Sequence, residues 1–182
     1  MPKPTLWLLL AVPAGLFAQV TDPLIPPPTK LENFLIQKGH LIIQESSQIG
    51  QLERKDSTIR VEGIVARFAV RRSETVKGLR LIVPSGAKFS IDAEELDLLL
   101  RAMQNMENQF QNWQENHPTF QQDLFFATKS AFEVSLHYLE GAVTAEAGGP
   151  IASGFSSIEV DLDGLREFRR LLEQANAWLI SR

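Results

Sequence analysis

The chain of 182 residues has no cysteine, three histidines and a single tyrosine. The absence of cysteine excludes disulfides, thiolate metal ligands and cysteine nucleophiles, and it leaves the redox compartment unmarked. A glycine-rich phosphate loop and a His-Glu-x-x-His motif are also absent, and the histidines are scattered along the chain. The sequence therefore predicts no metal site and no cofactor.

Catalysis by a serine nucleophile would need a histidine close to a serine on a rigid turn. No Gly-x-Ser-x-Gly elbow accompanies His40, His117 or His137. Alternation places His137 on the exposed face of a strand, and Pro118 marks a helix end beside His117. The histidines are therefore interpreted as surface or boundary residues, and no catalytic residue is predicted.

Two acidic patterns are candidate sites. The segment Asp161-x-Asp163-Gly164 resembles the start of a calcium loop, but the later acids and the closing glutamate are missing. Both aspartates are explained more simply as helix caps. A glycoside hydrolase would need a carboxylate pair at a defined separation, which the sequence does not give. The candidates for that pair are Glu62, Asp92, Glu133 and Glu159.

The overall composition is that of a globular protein, with 44% hydrophobic and 22% charged residues. A chain of this size buries about 70% of its unfolded surface, so one substantial core is expected. The formal net charge is -4 and the pI is near 5.4. This mild acidity gives no general reason to bind nucleic acid or anionic membranes.

The N-terminus has the layout of a secretory signal peptide. Lys3 precedes an apolar run from Leu6 to Phe17, and Ala18 precedes a polar shift. The run is shorter than the roughly 20 residues that span a bilayer, so no membrane span is predicted after cleavage. We expect cleavage after Ala18 and a periplasmic or secreted location. An uncleaved N-terminal helix is the alternative.

The domain organisation follows from a proline-rich segment at residues 19–30, which holds four of the ten prolines. Proline fixes φ and removes backbone donors, so this segment is predicted to be an extended linker. Residues 31–182 are predicted to form a single α+β domain made of two pseudo-repeats, at about 31–116 and 117–182.

Strand patterns dominate the first repeat. They are predicted at Leu41–Ile43, Thr58–Val70, Leu79–Val83 and Phe89–Ile91. In Thr58–Val70 the apolar residues change phase at Gly63, which predicts a β-bulge there. Asp92 and Glu95 then form a capping box for a long amphipathic helix that His117-Pro118 ends.

The second repeat shows the same order. Strands are predicted at Leu124–Ala127, Phe132–Tyr138, Val143–Ala147 and Ile158–Val160, with a turn at Gly148-Gly149-Pro150. Asp161 caps the last helix, whose apolar face runs from Leu165 to Leu179.

The two strand-to-helix joints align at one offset of 69 residues, with Phe89 over Ile158, Asp92 over Asp161 and Met103 over Leu172. The predicted fold class is therefore α+β, with two ββββα-like repeats whose antiparallel sheets are each covered by one long amphipathic helix. The alternative is that capping chemistry alone makes any such joint look alike.

Two resemblances accompany this pattern. The ββββα repeat with its Asp-capped, Leu-rich helix resembles, in topology only, the unit of single-strand nucleic-acid binders of the PC4 and Whirly type. The running sequence is similar to an uncharacterised group of bacterial secreted proteins, a similarity that brings no known activity, so no functional residue is carried over from it. The segments that carry it are Leu31-Glu32-x-Phe34-Leu35, Lys77-Gly78-Leu79-Arg80, Glu95-Leu96 and Phe132-Glu133-Val134.

Basic residues concentrate in the first repeat and would form an anion-binding surface if they shared one sheet face. They are Arg60, Arg67, Arg71, Arg72, Lys77 and Arg80. Single-strand binding also needs exposed aromatic residues, yet Phe68, Phe89, Phe132 and Tyr138 are predicted to face inward. With the acidic charge, this argues against nucleic acid as the partner.

The leading hypothesis is therefore an exported, non-catalytic binding or interaction protein whose ligand, a protein or an envelope component, is unknown. A small envelope hydrolase is the alternative, and single-stranded nucleic-acid binding by fold analogy is the second alternative. Open strand edges also make a homodimer compatible with the predicted fold.

Overall fold

The computed structural model describes residues 28–70 and 74–182. The predicted signal peptide, most of the predicted linker and the pair Arg71-Arg72 lie outside the described residues. The helices are α1 (Lys30–Leu35), α2 (Ala93–Asn116) and α3 (Leu162–Ile180). The strands are β1 (Ile42–Arg54), β2 (Ser57–Phe68), β3 (Thr75–Ile82), β4 (Lys88–Asp92), β5 (Gln122–Ala127), β6 (Glu133–Leu139), β7 (Ala142–Ile151) and β8 (Gly154–Val160).

The strands form two four-stranded antiparallel sheets with orders β1-β2-β3-β4 and β5-β6-β7-β8. Each sheet is followed by a long helix, α2 after the first and α3 after the second. This arrangement confirms the predicted α+β class and the two ββββα units. No described helix is long and apolar enough to cross a membrane.

The aligned joints behave as the sequence predicts. Asp92 and Asp161 occupy the N-cap positions of α2 and α3, and His117 ends α2 in a left-handed conformation with φ 43°. The aligned apolar pairs are buried in one continuous core. These pairs are Phe89 and Ile158, Ile91 and Val160, Leu96 and Leu165, Leu99 and Phe168, and Met103 and Leu172.

Each helix covers the sheet of the other repeat. Helix α3 lies across β1 and β2, whereas α2 lies across β5, β6 and β7. A Cβ atom at Gly63 of β2 would lie 2.4 Å from the ring of Trp178 in α3, so this glycine permits close helix–sheet approach. Trp113 of α2 packs near Tyr138 of β6, with ring centroids 6.1 Å apart. The two repeats thus share one core.

The predicted bulge at Gly63 is wrong, because β2 pairs with β3 in unbroken register through that glycine. The register shift lies instead in β1, between Gln48 and Gly50. The apolar phase changes at Gly63 because the second half of β2 is buried on both faces. Val65 faces the main core, whereas Ile64 packs under α1 with Phe34.

Other boundaries also differ. β1 continues to Arg54 through a polar sequence, and β7 continues through the predicted turn at Gly148-Gly149-Pro150. Pro150 is tolerated because β6 stops pairing with β7 at Gly148, so the missing N–H falls where no ladder bond is needed. α1 begins at Lys30, inside the segment predicted to be linker.

Candidate functional site on the second sheet

The predicted basic residues do not share one face in the described part of the chain. Arg60 and Arg80 lie on the face of the first sheet turned away from α3. Arg60 pairs with Ile82 and Arg80 pairs with Glu62, and directly paired residues share one face of a sheet. Arg67 and Lys77 lie on the opposite face. Arg71 and Arg72 fall outside the described residues, so anion binding by this set stays a prediction.

Several of these cations are already engaged. Arg67 donates a hydrogen bond to Glu45 at 3.0 Å, and Lys77 Nζ donates to the carbonyl oxygen of Leu179 at 2.9 Å. Arg80 lies 3.9 Å from Glu62. Such local pairing lowers the charge that remains for an external anion.

The second sheet has one face against α2 and one face that no helix or strand of the described residues covers, which we call the outer face. Phe125 is 67% exposed and Phe155 is 50% exposed on it. The residues of the outer face follow from strand register and alternation. They are Asp123, Phe125 and Ala127 of β5, Glu133, Ser135 and His137 of β6, Thr144, Glu146, Gly148 and Pro150 of β7, and Phe155, Ser157 and Glu159 of β8.

The outer face is acidic, with four carboxylates and neither lysine nor arginine among those residues. Glu146 and Glu159 are direct cross-strand partners. Like charges at such positions destabilise a sheet. Ser157 Oγ donates to Glu146 Oε2 at 3.0 Å, which partly offsets the repulsion.

Three polar side chains of the outer face form a hydrogen-bonded chain. His137 Nδ1 lies 2.8 Å from Asp123 Oδ1, and His137 Nε2 lies 3.0 Å from Ser135 Oγ. This is the connectivity of a Ser-His-Asp triad. It is also the ordinary result of residues i and i+2 on one strand beside a carboxylate on the next.

The surroundings of Ser135 do not support acyl transfer. Ser135 is 5% exposed and lies in the centre of β6, paired with Phe125 on one side and Glu146 on the other. The N–H groups of a strand with neighbours on both sides are consumed by the ladders, so none is available for an oxyanion. His137 remains, as the sequence predicted, on the exposed side of its strand.

The buried acids outside this face are structural. Both Asp92 oxygens accept backbone N–H groups, from Lys30 at 2.9 Å and from Leu31 at 3.0 Å. Glu95 accepts the N–H of Lys129 at 2.9 Å. Glu107 accepts two hydrogen bonds from Arg169, and these raise the pKa of that guanidinium.

A groove of about 560 Å³ lies between β3, the start of α2 and the end of α3. At its rim, Lys30 Nζ donates to Glu94 at 2.7 Å, which lowers the pKa of the Glu94 carboxyl and raises that of Lys30. The stabilisation by Glu94 is present above its unfolded pKa and is lost as pH falls through the folded pKa. Both side chains are well exposed, so the pair contributes little.

Sequence reasoning placed His137 on an exposed strand face and named Glu133 and Glu159 as candidate carboxylates, but it did not bring the three together. Asp123 was missed because it lies 14 residues from His137 and meets it only across the β5–β6 ladder. Phe125 and Phe155 were missed because aromatic residues in strands are usually interpreted as core. The polar Asp123, two positions before Phe125 and so on the same strand face, was the signal that could have placed Phe125 outward.

Comparison of the chain with protein-family models and with curated protein sequences finds no match.

Proposed function

We propose that this chain is an exported, non-catalytic binding protein and that the outer face of the second sheet is its ligand surface. The observation that carries the proposal is the exposure of Phe125 and Phe155 on an uncovered sheet face without lysine or arginine. Exposed aromatic residues are typical of interfaces, and the carboxylates select a cationic partner. The predicted signal peptide supports the exported location.

The negative charge of the outer face also favours some classes of partner over others. Phosphate backbones and anionic lipids would meet repulsion from Asp123, Glu133, Glu146 and Glu159. A lysine- or arginine-rich segment would instead relieve the repulsion between Glu146 and Glu159. Nucleic acid therefore remains disfavoured, despite the topological resemblance.

The proposal is tested by titrating the protein with octalysine and, separately, with a single-stranded oligonucleotide. We expect octalysine to bind at low salt and to weaken as salt rises, because exposed charges are screened over about 8–10 Å. The double variant E133Q/E159Q should weaken binding, whereas E94Q/D97Q, on helix α2, should not. Absence of octalysine binding, or equal loss in both variants, would overturn the proposal.

Hydrolysis is the second candidate function to test, because the hydrogen-bonded chain Asp123–His137–Ser135 has the connectivity of a triad, although the burial of Ser135 opposes acyl transfer. Its test is labelling by a fluorophosphonate probe, with Ser135→Ala as the control. The binding proposal expects no labelling of Ser135. Labelling that disappears in S135A would establish the hydrolase instead.

A further inference from the structure

Within residues 28–70 and 74–182, no strand pairs with the outer edge of β5 in the second sheet. β5 is the outermost strand, and its packing partners are β6 and α2. Gln122, Asp123, Phe125 and Ala127 are exposed, and Phe120 just before the strand is 77% exposed. An edge strand presents unpaired N–H and C=O groups to any extended chain that can approach it.

The direction of those groups follows from one backbone hydrogen bond. The N–H of Thr128 donates to the carbonyl oxygen of Phe132 at 2.8 Å, so the Thr128 backbone faces the β6 side. Backbone direction alternates along a strand. The N–H and C=O groups of Asp123, Phe125 and Ala127 therefore point away from the sheet.

Three usual protections of an edge, namely proline, lysine and a bulge, are missing from β5, and Asp123 is its one charged residue. The strand pairs with β6 in unbroken register. Its side chains form two strips, with Phe125 between Asp123 and Ala127 on the outer face and the half-buried Leu124 and Phe126 on the α2 side. An added strand would thus find apolar contacts on both faces.

We infer that the β5 edge binds an extended cationic peptide by strand addition, which makes the second sheet five-stranded. This inference rests on the proposed function, since the acids of the outer face select the peptide. The peptide's residues beside Leu124, Phe125 and Phe126 are apolar, and those beside Asp123 and Ala127 are basic. Ala127 is small and pairs with Glu133, so a lysine beside it can reach that carboxylate.

A second copy of this chain is the competing occupant, and charge disfavours it. Two β5 strands paired about a two-fold axis would merge two outer faces that each carry four carboxylates without lysine or arginine. Like-charge juxtaposition of this kind opposes association. A cationic peptide meets the same edge with complementary charge.

The test uses the peptide Gly-Ser-Lys-Val-Phe-Val-Lys-Ser-Gly, with a matched peptide in which both lysines are glutamates. The deciding variant is Ala127→Pro, which removes one outward N–H but no β5–β6 ladder bond. Ala127→Ser is its control, since serine keeps the N–H and stays small enough for a lysine beside it to reach Glu133. We expect A127P to weaken peptide binding by about tenfold and A127S to leave it within about twofold.

The outcomes separate the two proposals. Octalysine binding that depends on Glu133 and Glu159, together with peptide binding that is indifferent to A127P, would overturn strand addition and leave the proposed function intact. Equal binding of the lysine and glutamate peptides would also overturn it. A concentration-dependent dimer in sedimentation analysis that A127P dissociates would assign the edge to a second copy instead.

Folding of A127P is checked by its circular dichroism and urea midpoint. If the variant is destabilised, Phe125→Lys tests the same edge, because it keeps every backbone N–H while repelling a cationic strand. Unchanged peptide affinity in F125K would overturn the inference.

Discussion

Asp92 and Asp161 occupy equivalent positions in the two repeats but accept hydrogen bonds from different segments. Asp161 accepts the N–H of Gly164 at 2.7 Å and caps its own helix. Asp92 is 1% exposed, and both of its oxygens hold the first N–H groups of α1, a segment 61 and 62 positions earlier. The second aspartate is a local cap, whereas the first fastens α1 to the β4–α2 joint.

Replacement of these aspartates by alanine should therefore have unequal costs. Asp92→Ala leaves two backbone donors of α1 without an acceptor and is expected to lower the free energy of unfolding by about 2–4 kcal/mol. Asp161→Ala removes one exposed cap and should cost about 1 kcal/mol. Urea denaturation of both variants measures the difference.

Asp92→Asn serves as the control, because it keeps the size and one acceptor oxygen. Its cost should fall between wild type and D92A. Equal costs for D92A and D161A would contradict the structural distinction between the two positions.

The sequence predicted both aspartates as caps, because the Asp-x-x-Glu spacing and the following apolar stripe are local signals. It did not predict the bonds from Asp92 to α1. A contact across some 60 residues depends on tertiary packing, which one-dimensional spacing does not encode.

At the scale of elements, glycines in β1 and β2 set how closely α3 approaches the first sheet. A Cβ at Gly50 would lie 2.6 Å from the side chain of Leu171, and one at Gly63 would meet the Trp178 ring. Neither glycine has positive φ. Their role is therefore to provide space rather than backbone freedom.

Gly63→Ala should destabilise the protein by about 1–3 kcal/mol, because the new methyl displaces the Trp178 ring. In a Trp178→Ala background the same change should become neutral or stabilising by up to about 1 kcal/mol, as alanine suits a strand better than glycine. A double-mutant cycle measured by thermal or urea unfolding gives the coupling. Additive effects would show that the glycine and the tryptophan do not constrain one another.

The elements that sequence reasoning predicted best are those whose pattern matches their burial. α2 and α3 have an apolar stripe against a core, and β6 alternates apolar and polar residues along its sequence. β1 was predicted only at Leu41–Ile43, because Gln44–Arg54 is a largely polar edge strand held by its ladder with β2. The bulge prediction at Gly63 was wrong because α1 buries the second face of β2. Periodicity alone cannot distinguish a strand that is buried on both faces from a strand with a phase shift.

At the scale of the whole molecule, each repeat depends on the other, because the helix of one repeat covers the sheet of the other. α2 and α3 also contact one another, and Glu107 of α2 binds Arg169 of α3 at their interface. The repeat pattern predicted two sheets and two covering helices. It did not predict which helix covers which sheet, because an apolar stripe specifies that a helix is covered but not by what.

Separate fragments 28–116 and 117–182 should therefore fail to fold alone, since each exposes the sheet face that the other fragment's helix covers. An equimolar mixture should recover a cooperative unfolding transition, measured by circular dichroism. A 117–182 fragment carrying Leu171→Ala and Trp178→Ala should complement less well. Cooperative unfolding of either fragment by itself would contradict the shared core.

Because the helix of one repeat covers the sheet of the other, the order of synthesis decides when each sheet becomes covered. The first sheet is complete when β4 leaves the ribosome, but the helix that covers it is the last element of the described chain to be made. Translation proceeds at about 5–20 residues per second, so the apolar face of the first sheet stays uncovered for several seconds. We therefore expect a nascent chain in this state to expose the apolar face of its first sheet until the final helix emerges.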